Sequence, residues 1–109
     1  EYIWENWKEG TKVESTAPEG NFYYERLRDK KNIIGIAGGS GITPFRSIAR
    51  MIDAGKLDLN LTILYGNNDE KEIIFKDEFK ALQEKNADKI KITIIFINLL
   101  PAKHLMVAL

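Results

Sequence analysis

The sequence of 109 residues contains no cysteine, and this absence excludes several kinds of site. Without thiolates the chain cannot form disulfide bonds, bind zinc or an iron–sulfur cluster through cysteine, or attack a substrate with a thiol. It has only one histidine, His104, which is too few for a histidine-rich metal site. We therefore predict no metal site, and no set of side chains in the sequence is typical of a catalytic site.

The chain also lacks an excess of charge and a long apolar run. Its 16 lysines and arginines balance 16 aspartates and glutamates, whereas proteins that bind nucleic acids or anionic membranes are usually basic. No apolar stretch approaches the ~20 residues that span a bilayer, and residues 1–4 lack the basic start and apolar core of a signal peptide. We expect a single cytoplasmic domain with no nucleic-acid or membrane partner.

Residues 1–30 carry weak structural signals. Residues 12–14 and 21–24 are short strand candidates, with a turn that contains proline and glycine between them. The polar stretch at residues 29–32 predicts a boundary. We therefore divide the chain into three parts, which are residues 1–30, residues 31–97 and an apolar tail without a clear pattern at residues 98–109.

The middle part of the chain alternates between apolar runs and amphipathic segments. The runs are short and rich in β-branched residues, as in buried parallel strands, and lie at residues 33–37, 59–65 and 90–97. The first predicted helix ends at Gly55 and has an apolar face formed by Phe45, Ile48, Ala49 and Ile52. The second begins between Glu72 and Phe75, and its charged residues, Glu78 among them, form a solvated face. This β-α-β-α-β order predicts a Rossmann-like α/β fold with a parallel sheet and right-handed crossovers.

The clearest chemical signal is the glycine-rich segment between the first strand and the first helix, which reads Gly38, Gly39, Ser40, Gly41, Ile42, Thr43 and Pro44. Adjacent glycines let the backbone approach a ligand closely, and the N-terminus of a helix attracts an anion such as a phosphate. Thr43 is placed to cap the helix, and Pro44 fits its first turn. A tight turn without a ligand is the alternative interpretation of the same residues.

Two common phosphate-binding motifs do not fit this segment. A Walker A loop ends in Gly-Lys-Ser/Thr, but Gly41 is followed by Ile42 and Thr43, so no lysine is placed for a γ-phosphate. The dinucleotide motif G-x-G-x-x-G fits only at Gly39 and Gly41, because Pro44 stands where the third glycine belongs. These residues alone therefore argue against ATP hydrolysis and leave dinucleotide binding open.

The glycine-rich segment, with Ser47 and Arg50 behind it, resembles the pyridine-nucleotide loop of the ferredoxin–NADP reductase superfamily. Residues 17–22 are similar to the Pro-x-Gly-x-Phe element at the end of the family's flavin-binding barrel. Residues 61–79 are similar to its second strand, the loop beside the adenosine and the following helix. The resemblance implies a ferredoxin reductase-like nucleotide-binding fold, preceded by a short β remnant of the flavin-binding barrel.

The resemblance implies a ligand for each matched position. The residues around the NAD(P)H pyrophosphate and nicotinamide would be Gly38, Gly39, Ser40, Gly41, Ile42, Thr43 and Pro44. The residues beside the adenosine ribose would be Tyr65, Gly66, Asn67, Asn68 and Asp69, of which the last three also form an ordinary turn sequence. No arginine accompanies Asn67 and Asn68, which favours NAD(H) over NADP(H). Members of the family pass a hydride from NAD(P)H to FAD and then electrons to ferredoxin or a similar acceptor.

The chain departs from the family pattern at both ends. It lacks the flavin-binding Arg-x-Tyr-Ser/Thr motif and the Cys-Gly-Pro-x-x-Met motif, so we interpret it as a truncated nucleotide-binding half that does not transfer hydride alone. The alternative is a non-catalytic interaction domain, a remnant derived from a reductase. Without further strands, Ile33, Ile34 and Ile36 would lie on an exposed strand edge, which predicts a homodimer or other self-association.

Overall fold

The computed structural model describes residues 1–96 and the strand at residues 105–108. The chain begins with a short helix, α1 (Tyr2–Asn6), whose side chains are all exposed. Trp4 in this helix is 91% exposed and Trp7, directly after it, is 43% exposed. Both tryptophans therefore lie outside the hydrophobic core.

Residues 7–31 contain no helix or strand, so the two strands predicted at residues 12–14 and 21–24 are wrong. The chain closes on itself locally instead, because the Arg28 guanidinium donates to the carbonyl oxygen of Tyr23 at 2.7 Å. An extended segment becomes a strand only when a neighbouring strand accepts its backbone hydrogen bonds, and none of the strands that the structure describes pairs with these residues.

A four-stranded sheet in the order β1-β2-β3-β4 forms the centre of the fold. Its strands are β1 (Asn32–Gly38), β2 (Asn60–Asn67), β3 (Ile90–Phe96) and β4 (Leu105–Ala108). The pairs β1–β2 and β2–β3 are parallel, which confirms the predicted β-α-β-α-β unit. In this register Ile33 lies opposite Leu61, and Leu61 lies opposite Ile90.

Strand β4 corrects the prediction of a purely parallel sheet with a patternless tail. It pairs with β3 in the antiparallel direction, with Leu105 opposite Phe96. A parallel neighbour needs a crossover of about a dozen residues or more, whereas an antiparallel neighbour can follow a short connection. Residues 97–104 are too few for a crossover, and they lie outside the described residues, as does most of the predicted tail.

Two helices connect the parallel strands, α2 (Thr43–Asp53) and α3 (Lys76–Lys85). Gly55 follows α2 with φ = +71°, as expected for a glycine that ends a helix. Helix α3 starts after the predicted window of residues 72–75, because Phe75 has φ = +61° and so cannot be part of the helix. Short 3-10 turns precede the helices at Gly39–Ile42 and Glu70–Glu72.

The core lies between one face of the sheet and the two helices. Side chains alternate along each strand, and the buried positions of the three parallel strands share this face. The helices contribute the predicted apolar faces, with Phe79 and Leu82 buried in α3. The buried side chains include Ala37, Phe45, Ala49, Ile52, Leu61, Ile63, Tyr65, Phe79, Leu82, Ile90, Ile92 and Ile94.

The other face of the sheet is open at β1. Ile34 is 72% exposed and Ile36 is 78% exposed, whereas Ile33 is half-buried and packs against the core. The prediction that these three isoleucines lie on an exposed strand edge is confirmed within the described residues, where β1 pairs only with β2. The side chains of Ile34 and Ile36 lie on the open face, whereas that of Ile33 points to the helix-covered face. Among the residues that the structure describes, no helix has the length and apolar character needed to cross a membrane.

Candidate functional site

The parallel register brings the two predicted ligand-binding segments to one edge of the sheet. Gly38, the last residue of β1, lies opposite Gly66 near the end of β2. The chain leaves both strands at this edge, and the crevice at the carboxyl ends of strands is the usual ligand site in open parallel sheets. The geometry therefore places the glycine-rich segment and the loop after β2 around a common crevice.

The glycine-rich segment is a 3-10 turn that runs directly into α2. Gly39 has φ = +50°, a left-handed conformation that side chains disfavour. A Cβ atom built on Gly38, Gly39 or Gly41 would meet no other atom within 4 Å, so open space lies over this backbone. Ile42 is fully buried and anchors the turn in the core. The turn thus combines a fixed base with an unobstructed outer surface.

Thr43 does not cap α2 as predicted. Its hydroxyl donates to the carbonyl oxygen of Ser40 at 2.8 Å, and the N-cap position belongs to Ile42, whose side chain cannot accept a hydrogen bond. The 3-10 turn extends the helix at its N-terminal end, so Thr43 already lies within helical backbone. Pro44 occupies the first turn of α2 as predicted, and Ser40, Thr43 and Pro44 are all exposed.

The start of this helical segment is suited to an anion. The first N–H groups of a helical turn have no acceptor within the turn, and the helix dipole adds partial positive charge at the same end. The glycines leave no side chain between these groups and the crevice. A phosphate or pyrophosphate is the group that such an arrangement binds best.

Tyr65 lies in the core rather than at the surface of the crevice, since it is only 1% exposed. Its hydroxyl lies 3.2 Å from the carbonyl oxygen of Gly39 and 3.3 Å from that of Ile74, and it accepts a hydrogen bond from the N–H of Ile74 at 3.1 Å. Burial raises the pKa of the Tyr65 hydroxyl above its ordinary value, so the group keeps its proton at neutral pH. Only the backbone of Tyr65 can therefore face a ligand.

Asn67, the last residue of β2, is 5% exposed, and among the described residues its Nδ2 has no hydrogen-bond partner. An unpaired buried donor is unfavourable, and a ligand oxygen at this edge of the sheet would satisfy it. Asn68 and Asp69 are exposed. Asp69 also has a local role, because its carboxylate accepts from the N–H of Lys71 at 3.1 Å and caps the next 3-10 turn.

Arg46 makes two contacts that the sequence did not predict. Its Nε donates to Glu78 Oε2 at 2.7 Å, and its guanidinium lies 4.5 Å from the centre of the Phe75 ring. Glu78 was expected on a solvated face, but it is half-buried and joins α3 to α2. The two charged residues are 32 positions apart, so no local pattern in the sequence could have revealed the pair.

A second set of contacts that the sequence did not predict is formed by Phe45, in the first turn of α2. Phe45 packs directly against Gly35, where a Cβ atom would lie 2.5 Å from the Phe45 ring. The Phe22 ring meets Phe45 edge-on, with 5.5 Å between the ring centres. The signal for this contact was a glycine inside a strand, which often marks a close approach of another group.

The sequence matches a family model described as the oxidoreductase NAD-binding domain over residues 36–99. A flavohemoprotein from Candida albicans is 38% identical over 91 residues, which cover 83% of this chain and 22% of that protein. NADH-cytochrome b5 reductase 1 from Kluyveromyces lactis is 34% identical over 84 residues, covering 76% of this chain and 30% of the relative. The chain thus spans less than a third of the length of these relatives.

Solved structures show the same fold. The cytochrome b5 reductase domain of Ulva prolifera nitrate reductase superimposes with a TM-score of 0.76 and 30% identity, covering 93% of this chain and 41% of that one. The ferredoxin-NADP+ reductase from Plasmodium falciparum gives a TM-score of 0.66 and 25% identity, covering 85% of this chain and 39% of the other. The ferredoxin reductase-like nucleotide-binding fold implied by the sequence motifs is therefore confirmed.

Proposed function

This chain belongs to the oxidoreductase NAD-binding domain family, and from that premise we propose that it is the NAD(P)H-binding module of a flavin-dependent reductase. The single observation that carries the proposal is the open glycine turn at the start of α2, beside the end of β2. A dinucleotide that lies along this edge can place its pyrophosphate over the turn and its adenosine beside the loop after β2.

The residues present fit the pyrophosphate well. Gly38, Gly39 and Gly41 leave the backbone accessible, and Ser40 adds an exposed hydroxyl group, whereas the Thr43 hydroxyl already donates its proton to the Ser40 carbonyl oxygen. NAD(P)H, when bound, supplies a hydride for reduction of a flavin. This part of the chain binds and orients the nucleotide, and Ile42 keeps the turn in place by its burial in the core.

At the adenosine end, Asn67, Asn68 and Asp69 are proposed to border the ribose, with Gly66 and the backbone of Tyr65 beneath them. The Nδ2 of Asn67, which has no partner within the described part of the chain, supports this placement, because a nucleotide oxygen could accept its hydrogen bond. Against one lysine, Lys71, the loop carries three carboxylates, at residues 69, 70 and 72. Since these would repel a 2′-phosphate, we propose a preference for NAD(H) over NADP(H).

The remaining parts of the electron path are proposals about the intact protein. FAD would bind to a flavin domain, and the domain division at residues 1–30, 31–97 and 98–109 remains a prediction. The acceptor would be ferredoxin, a cytochrome such as b5, or a similar one-electron carrier, as the names of the relatives suggest. We propose a cytoplasmic location for this activity.

A second function, a non-catalytic interaction module derived from a reductase, is favoured by the open sheet face. Within the described residues β1 pairs only with β2, and Ile34 and Ile36 are largely exposed. We propose that the isolated chain self-associates through this strand. Light scattering at tens of micromolar checks this, and replacement of Ile36 by lysine should shift the chain towards the monomer. A monomer in the unmodified chain would contradict the proposal.

Isothermal titration calorimetry with NAD+ and NADP+ tests the nucleotide proposal directly. We expect heat of binding from both nucleotides and a lower dissociation constant for NAD+. Circular dichroism of the same sample shows whether the chain is folded. A folded chain that gives no heat with either nucleotide would contradict the binding function and favour the interaction module.

A further inference from the structure

We propose that the Tyr65 hydroxyl is a positioning group that ties together the two loops on either side of the nucleotide crevice. The inference rests on the proposed function, because it assigns the loops to the two ends of a nucleotide. Tyr65 itself is too deeply buried to touch the ligand through its side chain. Its effect on binding must therefore pass through the backbone groups that it holds.

The first loop is held at Gly39. The Tyr65 hydroxyl lies 3.2 Å from the Gly39 carbonyl oxygen, at the first residue of the 3-10 turn proposed to hold the pyrophosphate. Gly39 is also the residue of this turn with a left-handed backbone, φ = +50°. The hydrogen bond thus acts at the residue where the chain changes direction from β1 into the turn.

The second loop is held at Ile74. The Tyr65 hydroxyl accepts from the Ile74 N–H at 3.1 Å and lies 3.3 Å from the Ile74 carbonyl oxygen. The next residue, Phe75, has φ = +61°, which is unfavourable for an aromatic side chain. Contacts outside the loop must stabilise this conformation, and Tyr65 and the Arg46 guanidinium over the Phe75 ring supply them.

The same hydroxyl therefore contacts both loops, although it has only one proton to donate. Its proton can go to Gly39 or Ile74, while its oxygen accepts from Ile74. A shift of either loop changes the acceptor available to this proton and hence the restraint on the other loop. The geometry predicts that the pyrophosphate turn and the loop before α3 respond together.

The substitution Tyr65→Phe tests this inference because it keeps the buried ring and removes only the hydroxyl. Tyr24→Phe is the matched control, since Tyr24 is a half-buried tyrosine that packs against the same core. We would measure the NAD+ dissociation constant by calorimetry, the midpoint of urea unfolding, and the amide chemical shifts of each variant by NMR.

We expect Tyr65→Phe to raise the NAD+ dissociation constant by roughly tenfold and to shift the amide signals of both Gly39 and Ile74. Tyr24→Phe should change neither. A hydroxyl with a merely structural role would lower the urea midpoint and leave the dissociation constant of the folded protein unchanged, and that result would overturn the inference. If the unmodified chain binds no NAD+, the proposed function fails, and the amide shifts then decide the inference. Changes in the amide chemical shifts of both loops support the inference, and changes in one loop or in neither overturn it.

Discussion

Replacement of Gly41 by valine is the perturbation that best isolates the nucleotide site from the fold. A Cβ atom at this position would meet no other atom within 4 Å, and Gly41 does not have the left-handed φ found at Gly39. The added methyl groups therefore enter the space assigned to the pyrophosphate and disturb no packed group. We expect a large loss of binding with little loss of stability.

The size of the loss follows from the hydrogen bonds that the valine would block. A hydrogen bond to a charged group contributes about 1.5–3 kcal/mol, so loss of two backbone N–H contacts to a pyrophosphate weakens binding by about 3–6 kcal/mol. This corresponds to an increase of roughly 10²- to 10⁴-fold in the dissociation constant. The free energy of unfolding should change by less than about 1 kcal/mol, as for most exposed substitutions.

The assay is calorimetric titration with NAD+, combined with urea unfolding of each variant. Gly41→Ala should give an intermediate dissociation constant, because its single methyl group blocks less of the turn. Ala81→Val, which places a valine at an exposed position of α3, serves as the control and should bind normally. Unchanged NAD+ affinity in a folded Gly41→Val variant would refute the placement of the pyrophosphate over this turn.

Three further predictions concern stability and protonation. Gly35→Ala should lower the free energy of unfolding by about 1–3 kcal/mol, since its Cβ atom would lie 2.5 Å from the Phe45 ring; an unchanged urea midpoint would contradict that packing. Arg46→Ala should lower the free energy of unfolding by about 1 kcal/mol, because it removes an ion pair with Glu78 and a cation–π contact with Phe75. A double-mutant cycle with Glu78→Gln separates the ion-pair contribution from the cation–π contribution. The hydrogen bond from the neighbouring arginine lowers the pKa of Asp29 from its ordinary 3.8 to about 2. The hydrogen bond between Arg28 and Asp29 therefore stabilises the folded chain fully above pH 3.8, and this stabilisation is lost as the pH falls towards 2. An NMR titration of the Asp29 carboxyl carbon with a midpoint near 3.8 would disprove the lowered pKa.

The parallel core could be predicted from the sequence because its signals are local. Apolar runs of β-branched residues gave the three parallel strands, and the spacing of Phe45, Ala49 and Ile52 gave α2. The convergence of the glycine turn and the end of β2 followed from topology, since parallel strands end at the same edge. The orientation of Tyr65 was also open to prediction, because it follows Leu61 and Ile63 at every second position of β2 and must face the core with them.

The rest depended on contacts between distant residues. The packing of α3 against α2 produces the Arg46–Glu78 ion pair and the left-handed backbone of Phe75. The secondary-structure propensities of single residues carry no information on how two helices pack. The two short strands predicted near the N-terminus had suitable residues but no partner among the described strands, and β4 had a partner that its own sequence does not reveal. The ligand roles of the individual site residues remain predictions.

The position of both tryptophans has a spectroscopic consequence. Trp4 and Trp7 lie in and after α1, outside the core, and both are exposed to solvent. Because Trp4 is 91% exposed and Trp7 is 43% exposed, we expect the loss of the α/β core to change their emission less than it would change that of a buried tryptophan. Far-ultraviolet circular dichroism will follow the melting of the sheet and helices. Tryptophan fluorescence will instead follow the N-terminal segment, which makes it a selective reporter for any partner that covers α1.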